Sequence, residues 1–283
     1  MSADDAAEET PDPGSDGEAV ANAREVGDVP EAGTGEVKLE IENVHKRFGR
    51  VVALQGVDLD IYEREVFALV GDNGAGKSTL MNIISGVHEP TEGTVRLDGR
   101  EVEFSNPNDA RDAGIETVYQ DLALMDDIDI ATNIFMGQFP QRKIGPFGFI
   151  DWDETREQAR HIVHDRLGRT EMDINTEVQF LSGGQRQLVA VARTLAFDPD
   201  VIILDEPTSA LSVDATDLVH RTIEYLQDQG ITVIIVSHSI EDVLQIADRI
   251  GVLYQGALVD VTVPEEATLE SLTDLMTTGT YGD

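Results

Sequence analysis

The chain has 283 residues, in which 55 Asp and Glu outnumber 20 Lys and Arg to give a formal net charge of −35. Its apolar fraction of 41% is large enough to bury a core, which excludes disorder throughout. The lack of cysteine excludes disulfides, thiolate catalysis and Cys-ligated zinc. No apolar run reaches the ~18–20 residues of a membrane-spanning helix. No basic stripe is available to bind nucleic-acid phosphates, so we expect no nucleic-acid partner.

The acidic excess extends along the whole chain. Residues 1–36 hold 11 acidic residues and one base, Arg24, which leaves a net charge of −25 on the rest. Such an anionic surface is typical of cytosolic proteins of salt-loving microbes, in which salt screens the self-repulsion; an ordinary acidic enzyme is the alternative. The opening MSADDAAEET has neither the positive charge nor the apolar stretch of a signal peptide, so we expect a cytoplasmic protein.

The pattern along the chain predicts a tail, then strands, then helices. Residues 1–36 are rich in Asp, Glu, Gly, Pro and Ala and are predicted to be a disordered acidic tail, because they cannot bury enough apolar surface to offset their ordering entropy. Predicted strands follow at 37–43, 51–63, 66–70 and 93–99. From about 107 to 197 the periodicity is mostly helical, most clearly over 152–167 and 185–197.

The last third of the chain predicts buried parallel strands. Residues 201–206 and 232–238 are short, continuous apolar runs, and a helix over 214–230 that ends at Gly230 lies between them. The whole order predicts an α/β fold with a parallel-sheet core, an antiparallel β subdomain and an inserted helical subdomain.

A phosphate-binding loop is predicted at 71–79, where GDNGAGKST matches GxxxxGK[ST] after a strand and before a helix. Glycines let successive N–H groups surround a phosphate at the helix N-terminus. Lys77 would bridge the β- and γ-phosphates of a nucleotide, and the Ser78 hydroxyl would ligate Mg²⁺. The predicted nucleotide-binding residues are Gly71, Asp72, Asn73, Gly74, Ala75, Gly76, Lys77, Ser78 and Thr79.

Two carboxylates end the predicted strand VIILDE. Asp205 would lie at the carboxyl edge of the sheet, where α/β proteins bind ligands, and would hold Mg²⁺. Glu206 would act as general base toward the attacking water.

A third motif, LSGGQ at 181–185, begins some twenty residues before Asp205. It is a second small-residue turn that leads into a helix N-terminus, so it is a second candidate anion site. LSGGQ is the signature peptide of ATP-binding-cassette (ABC) ATPases, and with the other two motifs the chain is identified as resembling that family over residues 37–278. The resemblance implies a P-loop NTPase (RecA-like) fold, ATP and Mg²⁺ as cofactors, and a head-to-tail dimer. In that dimer Ser182, Gly183, Gly184 and Gln185 would cap the γ-phosphate held by the second copy.

The resemblance implies roles for further residues. Gln120 matches the glutamine that senses Mg²⁺ and the attacking water, and His238 matches the switch histidine that contacts the γ-phosphate. Phe48 occupies the position of the aromatic residue that stacks on adenine, usually a tyrosine. Residues 209–212, followed by Asp214, match a loop that lines the dimer interface. The implied domain is 37–283, with its helical subdomain at about 121–190.

A single cassette, without the long coiled coils of soluble ABC machines, favours a transporter subunit. The segments 105–137, 149–159 and 270–279 resemble ATPases of simple-sugar importers of the ribose, xylose and fructose class, including their single-cassette members. The implied partners are a second cassette, an integral-membrane permease and, indirectly, an extracellular solute-binding protein, with the chain peripheral at the cytoplasmic face of the membrane. Import of nucleosides or another small solute is an alternative, and so is a soluble ABC ATPase acting on ribosomes or nucleic acid.

The same resemblance predicts that a coupling helix of the permease docks on the helical insert through an apolar patch. Its candidate residues are Leu122, Leu124, Met125, Ile134, Phe135 and Met136.

Overall fold

A computed structural model describes residues 35–144 and 147–281. The predicted acidic tail therefore lies outside the described residues except for its last two positions. In the described ranges no helix is long and apolar enough to cross a membrane.

An antiparallel sheet of four strands begins the described chain, in the order β2-β1-β4-β5. The strands are β1 (Val37–Phe48), β2 (Val51–Tyr62), β4 (Glu92–Leu97) and β5 (Arg100–Glu101). Ile41 of β1 pairs with Leu59 on one side and Val95 on the other, and all three side chains are buried. This sheet is the predicted antiparallel β subdomain.

A second sheet of six strands has the order β12-β11-β3-β10-β9-β6, in which all neighbours are parallel except β11 and β12. The strands are β3 (Val66–Val70), β6 (Ile115–Val118), β9 (Val201–Asp205), β10 (Thr232–Ser237), β11 (Arg249–Tyr254) and β12 (Ala257–Thr262). Every residue of β3 and β10 is buried, as their continuous apolar runs predict. The predicted α/β fold with a parallel-sheet core is confirmed.

Within the described ranges, eight α-helices accompany the sheets. They are α1 (Lys77–Ile84), α2 (Pro107–Asp112), α3 (Ile130–Ile134), α4 (Trp152–Arg160), α5 (Gly183–Leu195), α6 (Val213–Asp228), α7 (Ile240–Ile246) and α8 (Leu269–Thr278). A π-helical turn (His161–Arg166) continues α4, and a short 3₁₀ turn (Val178–Phe180) precedes α5. Helix α6 ends as predicted, because Gly230 adopts the left-handed conformation, at φ 88°, that a chain needs to leave a helix.

The structure adds strands where the sequence predicts mostly helix. β6 lies within 107–197, and so does a hairpin of β7 (Gln141–Ile144) and β8 (Phe147–Ile150). β6 has only four residues, too few for a period of 2 to be recognised between helices. Its pairing with β9 comes from tertiary structure.

The parallel sheet separates two large cores. One core packs α3, α4, α5 and α6 against one face of the sheet, and the other lies between the opposite face, α1 and the antiparallel sheet. Because β3, β6, β9 and β10 are parallel, their carboxyl ends meet at one edge of the sheet. Each predicted motif of the central sheet is attached to one of these ends.

Candidate nucleotide site

The loop between β3 and α1 forms a cradle of backbone groups. Gly76 lies at φ 108°, and a Cβ there would come 2.7 Å from the carbonyl oxygen of Ala53, so only glycine fits at this position of the loop. α1 begins at Lys77 with no side-chain cap, and its first helical bond runs from Leu80 N–H to Gly76 O at 3.0 Å. The N–H groups of the first turn therefore have no acceptor within the helix and can bind an anion.

Lys77 is the cation of this cradle and is buried. Its Nζ donates to the carbonyl oxygens of Gly71, at 2.6 Å, and Asp72, at 3.3 Å. Burial lowers the pKa of Lys77, whereas the nearby carboxylates of Glu206, Asp72 and Asp205 oppose the shift. An ammonium that is poorly hydrated and bonded only to two carbonyls would be stabilised by a charge-assisted hydrogen bond to a phosphate.

The cradle opens into a cleft of about 320 Å³ that gathers most of the predicted site. Its lining includes Asp72, Asn73, Gly74, Gly76, Lys77, Ser78, Thr79, Gln120, Asp205 and Glu206. Three elements far apart in sequence thus meet at the edge of the sheet. Sequence reasoning missed the apolar wall of the cleft, which consists of Val51, Val52, Ala53 and Val236. The unusual exposure of Val51 and Val52 at the start of a strand is visible only in the structure.

Asp205 and Glu206 lie beside each other at the end of β9. Burial, together with the charge of Glu206, raises the pKa of Asp205, and Lys77 opposes the rise. Glu206 adopts a left-handed conformation at φ 51°, which a non-glycine residue rarely takes, and its N–H donates to Val236 O at 2.8 Å. The turn directs the Glu206 carboxylate to His238, whose Nδ1 lies 2.6 Å from Oε2 of Glu206.

Some predicted residues lie outside the lining of the cleft. Ser182 and Gln185 cap α5 reciprocally, since Ser182 Oγ accepts from Gln185 N–H at 3.3 Å and Gln185 Oε1 accepts from Ser182 N–H at 3.0 Å. None of residues 182–185 lines the cleft. Phe48 also lies outside that lining, and its exposed ring contacts His88 edge-on at 5.2 Å between centroids. Gly71 and Ala75 are buried beneath the loop.

A family model described as ABC transporter matches residues 54–209, which is more than half of the chain. This chain belongs to the ABC transporter family. The chain is 46% identical over 244 residues to the xylose/arabinose import ATP-binding protein of Sulfolobus acidocaldarius, covering 86% of this chain and 95% of that protein. It is 42% identical over 236 residues to the fructose import ATP-binding protein of Rhizobium meliloti, covering 82% and 90%. A solved dimeric ATP-binding cassette bound to ADP and phosphate superposes with a TM-score of 0.65 at 29% identity, covering 80% of this chain and 98% of that one.

ABC ATPases use ATP with Mg²⁺, and the residues present here fit both. The uncapped N-terminus of α1 and the ammonium of Lys77 suit the phosphates. The Ser78 hydroxyl, the Gln120 side chain and the Asp205 carboxylate line the same cleft and supply the oxygen ligands that Mg²⁺ prefers. In the described ranges no group of three or more His, Cys, Asp or Glu could hold a metal ion alone. The fit is therefore to an ion that completes its shell with phosphate oxygens and water.

Proposed function

We propose that this ABC ATPase powers the import of a simple sugar through a separate membrane permease. The observation that carries the ATPase chemistry is the cleft in which Lys77, Asp205 and Glu206 meet. Support for the sugar comes from the xylose/arabinose and fructose import proteins, which this chain matches over 90% or more of their lengths. A nucleoside or another small solute is the alternative cargo.

Each side chain in the cleft has a defined task in hydrolysis. When bound beside ATP, Mg²⁺ would supply positive charge to offset the negative charge that develops on the γ-phosphate. Lys77 holds the β- and γ-phosphates, and Ser78 with Asp205 orients the metal. Glu206 accepts a proton from the attacking water, and its contact with His238 fixes the carboxylate in the required direction. Gln120, which lines the same cleft, positions the same water.

The site is completed by a second copy of the chain. Residues 182–185 present a helix N-terminus that lies outside the lining of their own cleft. The match to a dimeric cassette supports a dimer. In the head-to-tail arrangement that we propose for it, Ser182 and its glycines close the cleft of the partner. Phe48 would stack on the adenine after its ring turns from His88.

We assign the permease and the solute-binding protein as partners from the resemblance to importer ATPases. The domain is 37–283, and its helical subdomain at about 121–190 carries the permease-docking surface. Met125 and Met136 are exposed, whereas Ile134 and Phe135 are buried and Leu122 and Leu124 pack partly on the core. The coupling helix therefore meets the two methionines. The chain is peripheral at the cytoplasmic face of the membrane, and a solute-binding protein acts through the permease.

Purification of the tagged chain from membranes of its source, with partners identified by mass spectrometry, tests the transporter assignment. We expect a polytopic permease and a solute-binding protein, and that binding protein is then screened against pentoses, fructose and nucleosides. If the binding protein prefers a nucleoside, a nucleoside replaces the sugar as the proposed cargo. Ribosomal or repair proteins without a permease contradict transport while the ATPase chemistry stands.

A further inference from the structure

The segment 120–126, called here the Gln120 loop, leaves the cleft and is attached to α5. Arg193 of α5 donates through Nη1 to the carbonyl oxygen of Ala123 at 3.1 Å and through Nη2 to that of Leu122. Ala123 is in the left-handed conformation at φ 47°, which an alanine adopts only when its surroundings hold it there. One guanidinium thus fixes two successive carbonyls of a strained turn.

Two further contacts fix the far end of the Gln120 loop. Nη2 of Arg186 lies 2.7 Å from Oδ1 of Asp126. Asn133, only 1% exposed, accepts from Met125 N–H at 2.8 Å and donates to Met125 O at 3.0 Å. Arg186 and Arg193 are seven residues apart, or about two turns, so they lie on the same face of α5.

The helix that holds the Gln120 loop also carries the signature peptide. α5 begins directly after Ser182, which caps it. The hydrogen bonds of Arg193 and the helix α5 therefore connect Gln120 to Ser182. Gln120 lies at the nucleotide cleft of its own chain, whereas Ser182 would serve the cleft of a second copy.

We propose that Arg193 is a positioning residue that holds the Gln120 loop on α5, so that Gln120 and Ser182 move together when the nucleotide sites close. A guanidinium suits the task because its two terminal nitrogens donate in a planar fork of fixed directions, one to each carbonyl, whereas an ammonium donates from a single nitrogen. This inference rests on the proposed function, since Gln120 must act in hydrolysis for its position to matter.

A double-mutant cycle on the full-length chain tests the inference through kcat and the KM for MgATP. The variants are Arg193→Gln, Arg193→Lys, Gln120→Ala and the two combinations with Gln120→Ala. Arg166→Gln is the matched control, because Arg166 also donates to a carbonyl in the last turn of α5, Leu195 O at 3.1 Å, but its ion-pair partner is Asp198 and not a residue of the Gln120 loop.

We expect Arg193→Gln to lower kcat about tenfold while KM changes less than about twofold, because the lost hydrogen bonds affect the reacting geometry rather than nucleotide binding. Arg193→Lys keeps the positive charge but offers a single donor nitrogen in place of two, so it retains more of kcat than Arg193→Gln does. In the Gln120→Ala background neither Arg193 variant lowers kcat further. Arg166→Gln keeps the wild-type kcat.

Equal losses from Arg193→Gln with and without Gln120→Ala overturn the inference, and so does a change in KM alone. If Arg193→Gln does not fold, the same cycle with Arg193→Lys decides. The Glu206→Gln variant separates the two levels of the account: if it still hydrolyses ATP, the proposed site fails, whereas an inactive Glu206→Gln beside an additive cycle removes only the role of Arg193.

Discussion

Nδ1 of His238 lies 2.6 Å from Oε2 of Glu206, across the carboxyl ends of the neighbouring parallel strands β10 and β9. The imidazole is 63% exposed, whereas the carboxylate is only 15% exposed. Glu206 lines the cleft, whereas His238 lies outside that lining and contacts the carboxylate from its solvent-exposed side. The contact holds the carboxylate of Glu206 in one direction.

The first prediction concerns this contact. His238→Ala removes the partner of the Glu206 carboxylate but leaves the phosphate cradle intact. We expect kcat for ATP to fall about 10- to 100-fold with little change in nucleotide affinity. Steady-state ATPase assays and a nucleotide titration measure both quantities. A kcat within twofold of the wild type shows that the contact has no role in hydrolysis.

The second prediction concerns the general base. Glu206→Gln keeps the shape of the side chain and one acceptor oxygen, but it cannot accept the proton of water. We expect turnover to fall by about 10²- to 10⁴-fold while MgATP remains bound and traps a dimer. Size-exclusion chromatography with and without MgATP shows the trapped species, and exposed Glu270→Gln in α8 is the control. Hydrolysis at the wild-type rate rules out Glu206 as the base.

The parts of the structure that the sequence predicted share one property. β3, β9 and β10 are continuous apolar runs that each end at a motif, so pattern and chemistry identify them together. β6 has no such pattern, although it delivers Gln120 to the same edge. The apolar wall formed by Val51 and Val52 could not be predicted, because it depends on how the antiparallel sheet lies against the phosphate loop.

The same limit applies to contacts between distant segments. The pairing of Arg193 with the carbonyls of Leu122 and Ala123 joins positions about 70 residues apart. No local periodicity encodes such a contact. The contact can be seen only in the folded protein, in which α5 packs beside the Gln120 loop.

The third prediction concerns a buried ion pair remote from the motifs. The side chains of Glu65 and Arg249 are 3% and 1% exposed, and Nη1 of Arg249 lies 3.2 Å from Oε1 of Glu65. Burial raises the pKa of Glu65 from 4.5 to about 7, and the charge of Arg249 and a hydrogen bond from Tyr62 N–H oppose the rise. Because the folded state then binds a proton that the unfolded state has lost, this carboxyl lowers the free energy of unfolding as the pH rises from about 4.5 to about 7.

A shift of this size corresponds to roughly 3 kcal/mol across that pH window. Denaturant unfolding of the wild type and of Glu65→Gln at pH 4.5, 5.5, 6.5 and 7.5 measures the difference. Because the side chain of Glu65→Gln does not titrate, we expect the free energy of unfolding of the wild type to fall relative to that of Glu65→Gln as the pH rises from 4.5 to 7.5. Parallel curves contradict a raised pKa for Glu65.

The fourth prediction concerns the net charge of −35. Raising KCl from 0.1 to 1 M shortens the Debye length from ~10 to ~3 Å and screens the repulsion among surface carboxylates. We expect Tm to rise by several degrees. Chloride is used because sulfate strengthens apolar burial in any protein. A Tm that stays level or falls with KCl places the chain with ordinary acidic enzymes.

ATP-dependent sugar uptake tests the central claim most directly. The chain is reconstituted in vesicles with its co-purified permease and binding protein, and accumulation of labelled xylose, arabinose, ribose and fructose is measured. We predict accumulation of at least one sugar that requires ATP and disappears when Glu206→Gln replaces the wild type. The result that contradicts the account is ATP hydrolysis without accumulation of any of these sugars.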